Sequence, residues 1–381
     1  WQKHWKEGII MGLTAGIVGL PNVGKSTLFN AITNSDILAE NYPFATINPN
    51  TGVVEVNDQR VDELVKIFHP KKTVRATFEF TDIAGLIKGA SKGEGLGNQF
   101  LGNIRNTDAI IHVVRCFDSA EILTYNGRSV DPVSDVLEVN LELILSDIDV
   151  MTKRLEKVER RALTPKDKQG LIEVSALHKL IDGLQHEKMA RDVPLTMEEK
   201  EASKEFNLIT MKPVIYVGNV DEDSYADPFA NPYFKALDDF AKENGALCIP
   251  VSAKMEEDLS KVSPEDRREY LESLGTTQTG LDKITFAAYS ILGLRTFFTG
   301  GEDEVRAWTF HEGYTAPQCA GVIHTDFEKF FLKAEVYSYD DLIRYGSELS
   351  VKEAGKMMTV GKDYLVKDGD ILYIRSAAKK K

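Results

Sequence analysis

Residues 19–26 read GLPNVGKS, directly after the apolar run 14–18 (TAGIV) and before the helix-like run 27–32 (TLFNAI). A buried parallel strand, a glycine-bounded loop ending in Lys-Ser and a helix are the three parts of a phosphate-binding loop, G-x-x-x-x-G-K-[ST]. Gly19 and Gly24 let the backbone turn tightly and approach phosphate oxygens. The N–H groups of Asn22, Val23, Gly24, Lys25, Ser26 and Thr27 gather at a helix N-terminus, where an anion is favoured. Lys25 supplies a point charge to the β- and γ-phosphates, and the Ser26 hydroxyl is a ligand for Mg2+. The spacing predicts an α/β fold of the P-loop NTPase class, with Lys25 in the catalytic machinery.

Further motifs follow in chain order. Asp82-Ile83-Ala84-Gly85 ends the strand-like run 76–81. A carboxylate there holds Mg2+ through water, and the Gly85 N–H reaches the γ-phosphate. Alone, D-x-x-G is weak evidence; at this distance after a P-loop it is strong. Thr46, within YPFATI (42–47), is the natural switch I threonine and joins the Mg2+ shell while the γ-phosphate is present; the plainer reading is a turn or strand threonine. Asn219-Val220-Asp221-Glu222 follows a third strand (213–218), and Ser252-Ala253-Lys254 follows a fourth (246–251). These stand where a GTPase carries its base-reading N-K-x-D and S-A-K motifs.

Two departures matter. Val220 replaces the lysine that packs over the base, and Glu222 stands for the guanine-reading aspartate. The extra methylene moves the carboxylate and spoils its two-point fit to guanine. Adenine presents an acceptor at N1, which a carboxylate does not favour either, so these residues weaken guanine without selecting adenine. The second departure is Leu86, at the position where a glutamine usually orients the attacking water. His112, in the apolar run 109–114, is a candidate to take over that role; a core histidine is the plainer reading. Asn22 is a candidate ligand for a monovalent cation such as K+ beside the phosphates. Glycines 85, 89, 93, 95, 97 and 102 cluster after Asp82, which suits a mobile switch II or an exposed loop.

The chain has 381 residues, which predicts two or three domains. No apolar run approaches the roughly 20 residues that span a bilayer, and no signal peptide precedes the first strand. A cytoplasmic protein without membrane contact is expected. Three cysteines lack metal-ligand spacing, and their odd number argues against a disulfide framework. Cys116 and Cys248 read as strand residues, and Cys319 as a loop thiol. A net charge of −13 weighs against nucleic-acid binding over the whole surface but leaves room for a local basic patch. Residues 1–10 (WQKHWKEGII) read as an added leader.

Between the switch and base motifs lies an insertion, residues 135–207. Leu137, Leu141, Ile144, Ile148, Met151, Leu155, Val158 and Ala162 alternate by four and three, the seam of a coiled coil. Thr164-Pro165 breaks it; Val174, Leu177, Leu180 and Leu184 mark a second helix, and Thr196 with Glu199 a capping box for a third. Lys153, Arg154, Lys157, Arg160, Arg161, Lys166 and Lys168 form either an RNA contact or a solvated face. From residue 304 short strands (305–310, 333–336, 364–366, 371–374) alternate with turns, including Lys367-Asp368-Gly369-Asp370, and with helix-like runs 327–332 and 338–345. The expected division is 11–134 with 208–303 for the nucleotide domain, 135–207 for a helical hairpin, and 304–381 for a small α+β domain.

The chain resembles the Obg-like ATPases of the YchF family. The resemblance is carried by residues 19–26, 41–49 (NYPFATINP), 82–105 (DIAGLIKGASKGEGLGNQFLGNIR), 219–222 (NVDE), 306–310 (RAWTF) and 316–327 (APQCAGVIHTDF). It implies a P-loop domain with a coiled-coil insertion and a C-terminal ubiquitin-like TGS domain. It also implies ATP in preference to GTP, base contacts at Asn219 and Val220 with Phe117 stacking, Mg2+ on Ser26 and Thr46, and association with ribosomes. Leu86 matches the family's hydrophobic replacement of the catalytic glutamine. A monomer with slow intrinsic hydrolysis is expected. Two other classes stay open: a P-loop kinase, which needs an arginine-rich lid not evident here, and a non-catalytic nucleotide sensor or RNA scaffold. A GTPase remains the alternative if the base pocket still reads guanine.

Overall fold

The structure, a computed structural model, describes residues 13–33, 51–82, 96–119, 122, 127–162 and 167–377. Thr46, Gly85, Leu86, Thr164-Pro165 and the leader 1–10 lie outside the described residues. The chain forms two compact units. The larger draws on Thr14–Gly52 and Phe80–Ile284; the smaller includes Val53–Glu79 and Thr285–Lys381.

The chain begins with β1 (Thr14–Val18), α1 (Lys25–Thr33), β2 (Thr51–Glu55), α2 (Gln59–Phe68), β3 (Lys72–Val74) and β4 (Thr77–Asp82). There follow α3 (Leu96–Arg105), β5 (Ala109–Arg115), α4 (Pro132–Ala162), α5 (Lys168–Gln185), α6 (Met197–Ser203), β6 (Val214–Asn219) and α7 (Glu222–Tyr225). Next are α8 (Pro232–Glu243), β7 (Leu247–Val251), α9 (Ala253–Leu259), α10 (Pro264–Ser273) and α11 (Gly280–Ile291). The chain closes with β8 (Leu294–Thr299), β9 (Glu304–His311), α12 (Ala316–Ile323), α13 (Thr325–Lys329), β10 (Phe331–Ser338), α14 (Tyr339–Tyr345), α15 (Glu348–Glu353), β11 (Met358–Val360) and β12 (Asp370–Ser376).

The first sheet has the order β2-β4-β1-β5-β6-β7. β1, β5, β6 and β7 are parallel, in registers that set His112 between Val18 and Tyr216, and Asn219 between Arg115 and Val251. Every residue of β5 and β6 is buried, as expected of parallel strands covered on both faces. The phosphate loop leaves the C-terminal end of β1, and the base motifs leave the C-terminal ends of β6 and β7. That is the edge where open α/β sheets bind ligands.

In the helical insertion, α4 is 31 residues long, roughly 46 Å. The anticipated seam holds only in its second half. Ile144, Met151 and Val158 are buried, and the first two pack with Leu177, Leu180 and Leu184 of α5. Leu137 and Leu141 are instead about half exposed, and Val136, Val139 and Leu143 turn inward. The first half of α4 lies against β5 and α8, so the sheet selects which face it buries. The capping box of Thr196 and Glu199 is present. Buried Asp147 of α4 pairs with Arg105, the last residue of α3, at 2.8 Å, and accepts from the Thr210 N–H and hydroxyl. The helix after the second switch motif is thereby tied to the insertion.

The smaller unit contains a sheet of order β11-β10-β12-β8-β9-β3. Its core joins Phe297, Phe310, Phe331 and Val336 to Ala316 and Cys319 of α12. The structure differs from the sequence reading at four places here. β8 (Leu294–Thr299) pairs antiparallel with β9, and β3 pairs parallel with β9, so the sheet begins before residue 304 and recruits a strand from far upstream. Residues 364–366 make a single bridge, Leu365 to Thr315, rather than a strand. Helix α13 ends at Lys329, and Phe331 already opens β10. Cys319, read as a loop thiol, is buried on α12.

Candidate nucleotide-binding site

The phosphate loop is held in shape by close approaches that exclude side chains. A Cβ on Gly19 would lie 2.4 Å from the Val113 carbonyl oxygen, and one on Gly24 would lie 2.3 Å from Asn219 Nδ2. Gly24 also has φ +99, and Asn22 has φ +63, a left-handed conformation that asparagine tolerates. The Leu28 N–H donates to the Gly24 carbonyl, so α1 starts as the loop ends. Lys25 is buried, and its Nζ donates to the Leu20 carbonyl across the loop at 2.9 Å. Burial pulls its pKa down to about 8, and the carboxylate of Asp82 partly offsets this. Lys25 and Asp82, at the end of β4, therefore share one electrostatic neighbourhood. Ser26 is exposed in the first turn of α1, and Thr27 half-buried.

A serine hydroxyl and a carboxylate are hard oxygen donors that suit Mg2+, the ion P-loop NTPase domains use. Among the described residues there is no group of three or more His, Cys, Asp or Glu placed to hold a metal. The donor set thus fits an ion bound through few protein ligands, water and substrate phosphates rather than a protein cage.

His112 lies inside the sheet rather than on its surface. It is 2 % exposed, mid-strand in β5, with its ring 5.5 Å from that of Tyr216. Burial, reinforced by the charge of Lys25, lowers its pKa to about 3. It packs as a neutral ring under the loop, in keeping with the plainer reading of a core histidine.

The base-reading segments converge on Asn219. Its Nδ2 donates to the Val23 carbonyl at 2.9 Å, and its Oδ1 accepts from the Ala253 N–H at 2.9 Å. One side chain thus joins the phosphate loop to the Ser252-Ala253-Lys254 segment. Val220 is buried, and its N–H is committed to the Val251 carbonyl. Asp221 caps α7 by accepting from the Ser224 N–H. Glu222, the first residue of α7, lies 3.4 Å from Lys254 Nζ. Ser252 caps α9 through the Met255 N–H.

Phe117 is brought beside these segments. The Arg115 guanidinium lies 4.6 Å above its ring while donating to the carbonyls of Phe117 and Ile122. Phe117, Asp118, Asp221, Asn231 and Tyr233 line a cleft of about 390 Å3. Two residues of this region escaped sequence reasoning. Arg115 fixes the loop after β5, and Asn231 donates to the Cys116 carbonyl and Ser224 hydroxyl while capping α8. Asn231-Pro232 carries a helix-start signal that locates the cap; nothing local marks Arg115.

Residues 14–151 match the family model described as a 50S ribosome-binding GTPase, and residues 294–377 match the YchF-GTPase C-terminal model, described as a protein of unknown function. The ribosome-binding ATPase YchF of Bacillus subtilis is 50% identical over 365 residues, covering 96% of this chain and 99% of that protein. Its namesake from Escherichia coli O157:H7 is 48% identical, covering 95% and 98%. The solved structure of the Schizosaccharomyces pombe YchF GTPase matches with a TM-score of 0.85 at 40% identity, covering 96% of this chain and 98% of that one. With the phosphate loop, the Ser252-Ala253-Lys254 segment and the C-terminal sheet all in place, the chain belongs to the YchF family.

Proposed function

We propose that this chain hydrolyses ATP, in preference to GTP, as a nucleotide-dependent switch working with ribosomes in the cytoplasm, as a monomer. The observation that carries this reading is Asn219 joining Val23 to Ala253 while Glu222 turns toward Lys254. A pocket for a purine is assembled, yet the residue standing for the guanine acceptor is engaged elsewhere. The second amide hydrogen of Asn219 remains for a ring nitrogen common to both purines. Asn219 therefore anchors the base without choosing it. Buried Val220 contacts the base through its backbone, Ser252 and Ala253 border it, and Phe117 stacks on it. The names borne by the bacterial relatives, ribosome-binding ATPase, support the choice of ATP and of ribosomes.

Hydrolysis works by positioning and charge. The N–H groups of Asn22 to Thr27 and the Lys25 ammonium hold the β- and γ-phosphates and stabilise charge on the transferred group. Ser26, Thr46 and, through water, Asp82 would hold Mg2+, which would supply neutralisation of the charge that develops on the transferred group. Asn22 would hold K+, which would supply a further positive charge at the phosphate loop. Gly85 reads the γ-phosphate. Leu86 cannot orient water, and His112 is buried and neutral, so unassisted turnover is slow. The helical hairpin 135–207 reaches the ribosomal RNA with its basic residues.

A second reading, GTP hydrolysis, is favoured by the description of the Schizosaccharomyces pombe relative as a GTPase. Phosphate release from ATP and from GTP, with and without ribosomes and in K+ against Na+, separates the readings. Faster release from ATP, accelerated by ribosomes and K+, is expected. Faster release from GTP overturns the ATP assignment, and none from either nucleotide makes the chain a sensor.

A further inference from the structure

We infer that Glu256 is a positioning residue for the base-reading segment 252–254, acting through the N-terminus of α11. The inference rests on the nucleotide reading above. Helix α9 has seven residues, too few to hold its own first turn by helix formation alone. Asn219 tethers that turn on one side, at the Ala253 N–H. Glu256 tethers it on the other. Its N–H donates to the Ser252 carbonyl at 3.0 Å, closing the turn that carries the segment. Its side chain, 3 % exposed, accepts from the Gly280 N–H at 2.6 Å, with the Leu281 N–H and the Thr279 side chain also bonded to the carboxylate.

The approach is built for contact. A Cβ on Gly280 would lie 2.9 Å from Glu256 Oε1 and 2.9 Å from Val251 Cγ2, so the end of α11 sits on the last residue of β7 as well. Burial, then Glu256 and Asp282, push up the phenol of Tyr225, which ends α7. A buried carboxylate is costly, and burial pushes its pKa up to about 7. Its place here is explained by the N–H groups it satisfies at a helix start, where the anion complements the dipole. Without it those groups lose their acceptor, the first turn of α9 shifts, and the base loses its wall while the phosphates keep theirs.

The test titrates ATP, and tripolyphosphate as a probe of the phosphate loop alone, into the full chain with Mg2+. Glu256→Ala and Gly280→Ala are expected to weaken ATP about tenfold, the loss of one charged hydrogen bond, and to leave tripolyphosphate unchanged. Glu256→Gln keeps an acceptor oxygen and is expected to restore most of the ATP affinity. Wild-type ATP affinity in both Glu256→Ala and Gly280→Ala overturns the inference. So does a parallel loss of both ligands, which would make the clasp a fold element only. Wild-type protein that binds tripolyphosphate as tightly as ATP removes the base site itself, and with it this inference.

Discussion

Lys25 carries the chemistry of the phosphate loop, and its environment gives a signed prediction. In the free protein burial lowers its pKa to about 8. Phosphates favour its charged form, so ATP binding near pH 8.5 takes up protons and binding near pH 6.5 takes up fewer. Calorimetry in buffers of different ionisation enthalpy reads this, and Lys25→Ala, which also abolishes hydrolysis, removes the uptake. His112 gives a second. Its folded pKa of about 3 lies below the usual value, so the unfolded chain binds the extra proton between the two. Stability is full above pH 6.5 and lost toward pH 3, by up to about 1.4 kcal/mol per pH unit. His112→Leu flattens that acid limb in denaturation curves and leaves ATP turnover unchanged; slowed turnover would restore the catalytic role. The phosphate loop was legible because its glycines answer to local backbone geometry. For His112 the apolar run made a core position the plainer reading, but did not disclose its neighbours on strands β1 and β6, which flank it from distant parts of the chain. Glu256 was hidden for the same reason: in sequence it is one more carboxylate on a short helix.

At the scale of elements, α4 shows how far periodicity carries. A helix of that length was legible from its spacing, and so was its pairing with α5. Which stripe turns inward was not. The repeat runs unbroken through Leu137 and Leu141, but the neighbouring sheet and α8 cover another face. Met151→Ala, at a fully buried position, is expected to cost about 2–5 kcal/mol in urea unfolding, whereas Leu137→Ala costs under about 1 kcal/mol. Equal losses would mean the anticipated seam runs the whole length. The C-terminal sheet teaches the same lesson. Its strands β9, β10 and β12 carry their own β-branched and aromatic pattern. The membership of β8 and β3 follows from pairing with β9, which no local pattern states.

For the whole molecule, the five motifs and their order marked a P-loop domain with two additions, and the sheet order β2-β4-β1-β5-β6-β7 accords with that. With a net charge of −13, the proposed contact with ribosomal RNA requires local basic surface. Within the basic run of α4, Lys153 is paired with Asp149, and Arg154 with Glu173 and Glu205. Lys157 and Arg160 are exposed. Lys157→Glu with Arg160→Glu is expected to weaken cosedimentation with ribosomes and to lower its salt dependence by about one phosphate contact per cation lost. Unchanged binding would make this face merely solvated. The central claim is that the pocket around Asn219 takes adenine because Glu222 no longer serves guanine. Calorimetric titration of non-hydrolysable ATP and GTP analogues, with Mg2+ and K+ present, tests it most directly. The account predicts tighter binding of the adenine form by at least about tenfold, or 1.4 kcal/mol. Tighter binding of the guanine form would mean that Glu222 leaves Lys254 to accept from guanine, and would contradict it.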